Sequence, residues 1–283
     1  MVLEKYFKAD AVEHRPHIAF FFGFVFTVIS FFISYILFRQ FMSLAIVFMA
    51  TLLLTPTLVM LLKHEERIER RFGIKHFFRN HKAIYEAYIF AFLGVFLAFV
   101  FLGLAYHDKP HMYGQLFDFQ TRFLSFQQGL SVEGVQDFVA GNVQFGSGQF
   151  WGMLANDMIV LVLCFVLSFV YGATAIFLII LNGSVFANFI VFVIRTLSTS
   201  FVQGLQAFVF FLIHMIPEVS GFLIAAIAGG VVSKAVLTEK KGSKAFRNVF
   251  KDATILMLIA IGLVVLSVLL EVFVTAKLFQ TFF

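Results

Sequence analysis

Charge is scarce in this chain. Asp, Glu, Lys and Arg make up 13% of its 283 residues, about half the share usual in a water-soluble protein. Apolar residues reach 61% and mean hydropathy is +0.95. A soluble domain of this size could not hide so much apolar side chain. The composition therefore excludes a soluble catalytic core and makes bilayer the solvent for most of the chain. Cysteine is limited to Cys164, inside an apolar run, so no disulfide can form within the chain. Four prolines and no low-complexity tract leave little room for disordered linkers. The excess of base, a formal +5, falls mainly in two short stretches and does not read as a nucleic-acid footprint. Also missing are the H-E-x-x-H zinc motif and the P-loop.

What is present is a series of apolar runs. About 20 apolar residues suffice to cross a bilayer as a helix, and that rule predicts an all-α, polytopic transmembrane bundle forming one transmembrane domain. The expected spans are His17–Phe38, Phe41–Leu62, Ala83–Tyr106, Met158–Leu181, Ser184–Ile213, Pro217–Leu237 and Ala253–Thr275. The first is too long for a signal-peptide core and no small-residue cleavage site follows it, so it is expected to be retained. Lys63–Lys82 carries seven basic residues and Thr238–Asp252 five, whereas the longer stretch 107–157 has only Lys109 and Arg122. The positive-inside rule then places both basic loops in the cytoplasm and the long loop outside. On seven crossings the N-terminus is cytoplasmic and the C-terminus outside, in the cell membrane.

The run Ser184–Ile213 exceeds one span, and Arg195-Thr-Leu-Ser-Thr-Ser200 interrupts it with a charge and hydroxyls. A tilted or broken helix is expected, with its first part at the cytoplasmic interface. A re-entrant pair is the alternative, giving an even crossing count against the charge rule. Between Met112 and Leu130, Leu116, Phe119, Phe123, Phe126 and Leu130 recur at steps of three and four, which makes one helical face. That helix is expected on the outer membrane surface or as a lid over the helix ends.

Pro217 suits the first turn of a helix and disrupts a helix interior. His214-Met-Ile-Pro217-Glu218 is thus expected to be a helix break, with Glu218 at a helix N-terminus. Either His214 and Glu218 form a polar site, or they only cap a helix start. Gly221, Ala225, Gly229 and Ser233 follow at steps of four, a small-residue seam that lets helices approach closely in lipid. Asn182-Gly183 and Asn156-Asp157 read as helix-end caps or as binding and gating residues. Asn188 and Arg195 pair with carboxylates from neighbouring spans, or line a wet cavity, or, for Arg195, reach the interface by its long stem. Glu86 and Glu271 are expected at the interface.

Glu65-Glu66-Arg67-Ile68-Glu69-Arg70 and Phe210–His214 match short strings of intramembrane prenyl proteases. That chemistry needs a shielded carboxylate, whereas this pair falls in a charged stretch better read as a helix held by pairs such as Glu66–Arg70. The histidines sit mostly at loops and span edges, and only His14 and His17 are closely spaced, with Pro16 between them. No metal site, no cofactor and no enzymatic activity are expected.

Taken in order, the residues resemble a known family. Arg15-Pro16 ahead of the first span, Gly23-Phe24, Ser43-Leu44-x-x-Val47-Phe48, Glu65-Glu66, and His81 ahead of Phe92-Leu93-Gly94 contribute. The most specific strings are Asn156 … Tyr171-Gly172-Ala173-x-Ala175-Ile176-Phe177 … Leu181-Asn182-Gly183-Ser184, then His214-x-x-Pro217-Glu218 … Ala228-Gly229-Gly230-x-x-Ser233. The chain resembles the integral membrane proteins related to stage II sporulation protein M, most closely their archaeal branch. Asp157 stands where many archaeal relatives have a second Asn. Here the histidine precedes the proline, whereas the bacterial proteins usually show Pro-His-Gly before Glu. The resemblance implies a general role in membrane or envelope organisation, as a scaffold and not itself a hydrolase.

Two functional readings follow. One is a non-enzymatic scaffold or component of membrane or envelope remodelling, with envelope or cytoskeletal partners and a homodimer packed through the seam. The other is a channel or secondary transporter with a polar site around Arg195, His214 and Glu218, drawing on Asn156, Asn182 and Asn188.

Overall fold

Hydrophobic runs of span length with few interior charges fold as helices, because in lipid the backbone must satisfy its own hydrogen bonds. The structure, a computed structural model, describes residues 15–72, 77–106, 108–128, 147–170, 174–198, 200–240 and 242–282. Among these, every regular element is a helix. They are α1 (Ile18–Leu37), a 3-10 turn (Arg39–Phe41), α2 (Met42–Phe72), α3 (Phe77–Ala105), α4 (Pro110–Gln128), α5 (Ser147–Val170), α6 (Thr174–Leu197), α7 (Phe201–Thr238) and α8 (Lys244–Leu270). A π turn (Glu271–Thr275) then leads into α9 (Ala276–Phe282). Seven candidate spans are long and apolar enough to cross a membrane; α4 is not among them.

The bundle is arranged for a lipid exterior. Large apolar side chains face outward along α1 (Phe21), α5 (Ile159, Val162) and α8 (Leu258), each more than half exposed. In water such a surface would be strongly unfavourable; in hydrocarbon it costs nothing. α7 occupies the centre, touching α8, α5, α6, α2 and α3, while α1 packs on α3 and α3 on α6.

Close packing explains why several residues with breaker character do not break helices. Gly94 on α3 faces the backbone of Phe20 and Phe24 on α1, and a Cβ there would collide with main-chain atoms. Asn182-Gly183, expected to close the fourth span, lies inside α6, where Gly183 faces Phe92 and Val95 of α3. Asn156-Asp157, expected to open that span, lies within α5. The hydroxyl-rich interruption after Arg195 is the turn between two spans, for α6 ends at Leu197 and α7 starts at Phe201. Ser200 caps α7 by accepting a hydrogen bond from the Gln203 N–H at 3.3 Å.

The break expected at Pro217 is absent: α7 runs unbroken for 38 residues with Pro217 inside it. Pro in a spanning helix is tolerated where neighbouring helices accommodate the freed carbonyl, and α7 is packed among other helices of the bundle. The amphipathic helix, expected on the outer surface or as a lid over helix ends, contacts the 3-10 turn and the start of α2. α4 packs into the bundle against α2 and α6, with Leu116, Phe117 and Gln120 essentially unexposed. Leu130 and the rest of 129–146, and Tyr171–Ala173 of the resemblance, lie outside the described residues. So do the side chains of Glu65–Arg70.

Candidate functional site

Among the buried polar side chains of the described residues, two groups involve α6. The first is the α4–α6 seam. Tyr113 OH donates to Asn188 Oδ1 at 3.3 Å, Asn188 Nδ2 donates to Thr121 Oγ1 at 3.1 Å, and Gln120 Nε2 donates to Ser184 Oγ at 3.1 Å. The Arg195 guanidinium lies over the Tyr113 ring, 4.1 Å from its centre. Burial pushes the Tyr113 hydroxyl above the ordinary phenol range, and the neighbouring Arg195 charge pulls it part of the way back. The partners step back along α6 as α4 advances. The contacts are complementary within the chain, so this seam is a helix-docking device.

The second place is a cavity of about 90 Å³ among α4, α5, α6, α7 and the π turn. Its polar wall consists of Asn156 and Asp157 from α5, Asn182 from α6, His214 and Glu218 from α7, and Glu271 from the π turn. Phe186, Phe189, Phe211 and Phe222 are among its apolar lining. His214 and Glu218 share one face of α7 because they are four residues apart. Asp157 is 7% and Glu218 8% exposed. Asn156 Nδ2 donates to Asp157 Oδ1 at 3.3 Å. His214 Nδ1 hydrogen-bonds Thr275 Oγ1 at 3.2 Å and its ring meets Phe211 edge-on.

Three carboxyl groups from three helical segments thus face one small space, and among the described residues no Lys or Arg lines it. A carboxylate in a membrane interior costs on the order of 3 kcal/mol or more unless paired or hydrated. With no lysine or arginine among the described lining residues, protons, water or an external cation can balance the site. Among the described residues no group of three or more His, Cys, Asp or Glu is placed to hold a metal ion. The volume suits a few waters or one small ion.

Of the six polar residues singled out in the sequence, the structure gathers Asn156, Asn182, His214 and Glu218 at this cavity. Asn188 belongs to the α4–α6 seam, and Arg195, in the last turn of α6 and exposed, stands apart from both His214 and Glu218. Two further acidic residues join those four: Asp157, read as a cap or as a binding or gating residue, and Glu271, read as interfacial, both line the cavity. The π turn that carries Glu271 is invisible to a periodicity of 3.6, and such turns are frequent at functional sites. Glu86, by contrast, is part-exposed and pairs with Lys82 at 3.6 Å.

The small-residue seam packs inside the chain. Gly221, Ala225, Gly229 and Ser233 are all buried. A Cβ on Gly221 would press on Ala260 and Val264 of α8, and one on Gly229 on the Phe165 backbone of α5. The seam therefore presents no face to a second copy.

The family model for stage II sporulation protein M matches residues 87–276, about two thirds of the chain. That segment contains all the cavity-lining residues and the whole α4–α6 seam. The residues before Ala87 that contributed to the resemblance fall outside it. No curated protein matches the chain, and no solved structure does. With that match added to seven apolar helices, the chain is a multi-pass membrane protein that belongs to the stage II sporulation protein M family.

Proposed function

We propose that this chain is a non-enzymatic membrane protein that passes protons or a small cation through its acidic cavity, as a channel or secondary transporter. One observation carries the reading: Asp157, Glu218 and Glu271, from three helical segments, line one cavity of about 90 Å³ whose described lining has no basic residue except His214. Carboxylates inside a bundle mark ion or proton paths because their placement is otherwise unfavourable.

The test is flux. Purified protein in liposomes would carry an imposed pH or sodium gradient, read with an entrapped dye, against empty liposomes and Glu218→Gln. The expected result is a wild-type flux that Glu218→Gln abolishes without loss of folded yield. Wild-type liposomes as tight as empty ones would overturn the reading.

Family membership favours a second reading, a scaffold in membrane or envelope remodelling. Brief cross-linking in native membranes followed by mass spectrometry should then recover a stoichiometric envelope or cytoskeletal partner. A homodimer would have to use outward apolar faces such as that of α5, since the α7 seam is occupied. The two basic stretches, at the α2–α3 and α7–α8 connections, support a cytoplasmic N-terminus and an outer C-terminus. The strings around Asn182 and His214 support placement in the archaeal branch.

A further inference from the structure

A groove of about 580 Å³ opens where α6 gives way to α7. Its walls are apolar, with Val100 and Leu104 from α3, Ile194 from α6 and Phe201, Leu205 and Phe208 from α7. Its polar lining is of one kind. Arg195 is the only charged residue on it, and Ser198 and Ser200 add hydroxyls. The Ser198 hydroxyl is shut away from solvent and makes no hydrogen bond among the described residues. The N-terminus of α7 begins here as well. Ser200 accepts from the Gln203 N–H and its carbonyl from the Gly204 N–H, while the amides of Phe201 and Val202 belong to the first turn, which an α-helix leaves without internal acceptors. The positive end of the 38-residue helix dipole therefore coincides with the arginine.

We propose that this groove holds one anionic phospholipid, its phosphate against Arg195, Ser200 and the first turn of α7, and an acyl or isoprenoid chain along Val100, Leu104, Leu205 and Phe208. The argument is one of complementarity. An apolar trough on an exterior already facing hydrocarbon takes a hydrocarbon chain. A cation, a hydroxyl and a helix N-terminus gathered at its end take a negative headgroup. The Arg195 guanidinium is held by the face of the Tyr113 ring, so less freedom is lost when a phosphate arrives. The proposal is independent of the acidic cavity, whose lining shares no residue with the groove.

The test is native mass spectrometry of the full chain in mild detergent, titrated with phosphatidylglycerol or phosphatidylcholine of identical chains. One phosphatidylglycerol should be retained in preference to phosphatidylcholine, and Arg195→Gln should reduce that preference by roughly fivefold, the effect of one arginine near an anionic lipid. Arg195→Lys should keep most of it. Gly204→Leu provides a second probe. A Cβ there points at Ile194 and Ser198 at ordinary contact distance, so the longer side chain enters the groove and should displace the lipid with the arginine intact. Equal retention of the two lipids would overturn the proposal, as would an unchanged preference in a folded Arg195→Gln protein. Competition by glycerol phosphate as strong as by the lipid would also overturn it, because the groove would then contribute nothing.

Discussion

His214 and Thr275 are joined by a 3.2 Å hydrogen bond that ties the middle of α7 to the π turn following α8. It holds Glu218, one turn from His214, and Glu271, one turn from Thr275, on the same wall of the cavity. Thr275→Val keeps the side-chain shape and removes the hydroxyl. A hydrogen bond between membrane helices contributes about 0.6–1 kcal/mol, so the unfolding midpoint in detergent should fall by about 2 °C. An unchanged midpoint together with unchanged flux would show that the bond positions nothing.

Gly229 stands against the Phe165 backbone, where even a methyl group meets main-chain atoms that cannot rotate away. Gly229→Ala should therefore destabilise the protein by about 1–3 kcal/mol despite the better helix propensity of alanine, and Gly229→Leu by more. Thermal unfolding of both variants checks this. A stability equal to wild type would mean that α5 and α7 are farther apart than the structure places them.

Asn188 is the centre of the α4–α6 ladder, accepting from Tyr113 and donating to Thr121. Asn188→Leu leaves both partners unsatisfied beside a buried apolar face, at about 1–3 kcal/mol. Hydrogen exchange should accelerate in α4 by roughly tenfold, while α7 stays protected. Uniform acceleration along the chain would indicate global destabilisation and no separate docking of α4.

Orientation is checked with the single native cysteine removed. In a Cys164→Ser background, Lys109→Cys and Lys244→Cys, both at exposed positions, should react with an impermeant maleimide from opposite sides of sealed membranes. Lys109→Cys should label from outside, as the positive-inside rule requires. Labelling of Lys244→Cys from outside would invert the proposed topology.

Much of the site is legible in the residues. Buried polar side chains are costly in apolar runs, so Asn156, Asn182, His214 and Glu218 stand out in the sequence alone, and all four meet at one cavity. Arg195 and Asn188 stand out for the same reason yet serve other contacts, because cost alone does not say which neighbour compensates it. Glu271 is hidden. It falls near the expected end of an apolar run, and only the continuation through the π turn into α9 brings it inside the cavity.

That the chain is a membrane helical bundle with seven candidate spans follows from its residues directly, because hydropathy is a local sum over about 20 residues and needs no partner. Where those spans divide depends on packing. Asn182-Gly183 and Pro217 carry local break signals weaker than the packing of the helices around them, so the helices continue through both. The chain turns instead at Ser198–Ser200, where α6 has ended and Ser200 caps α7. Packing also places α4 in the core. Its periodic face specified only that something apolar must cover it, and Asn188, Ser184 and Ser43 hold it against α6 and α2.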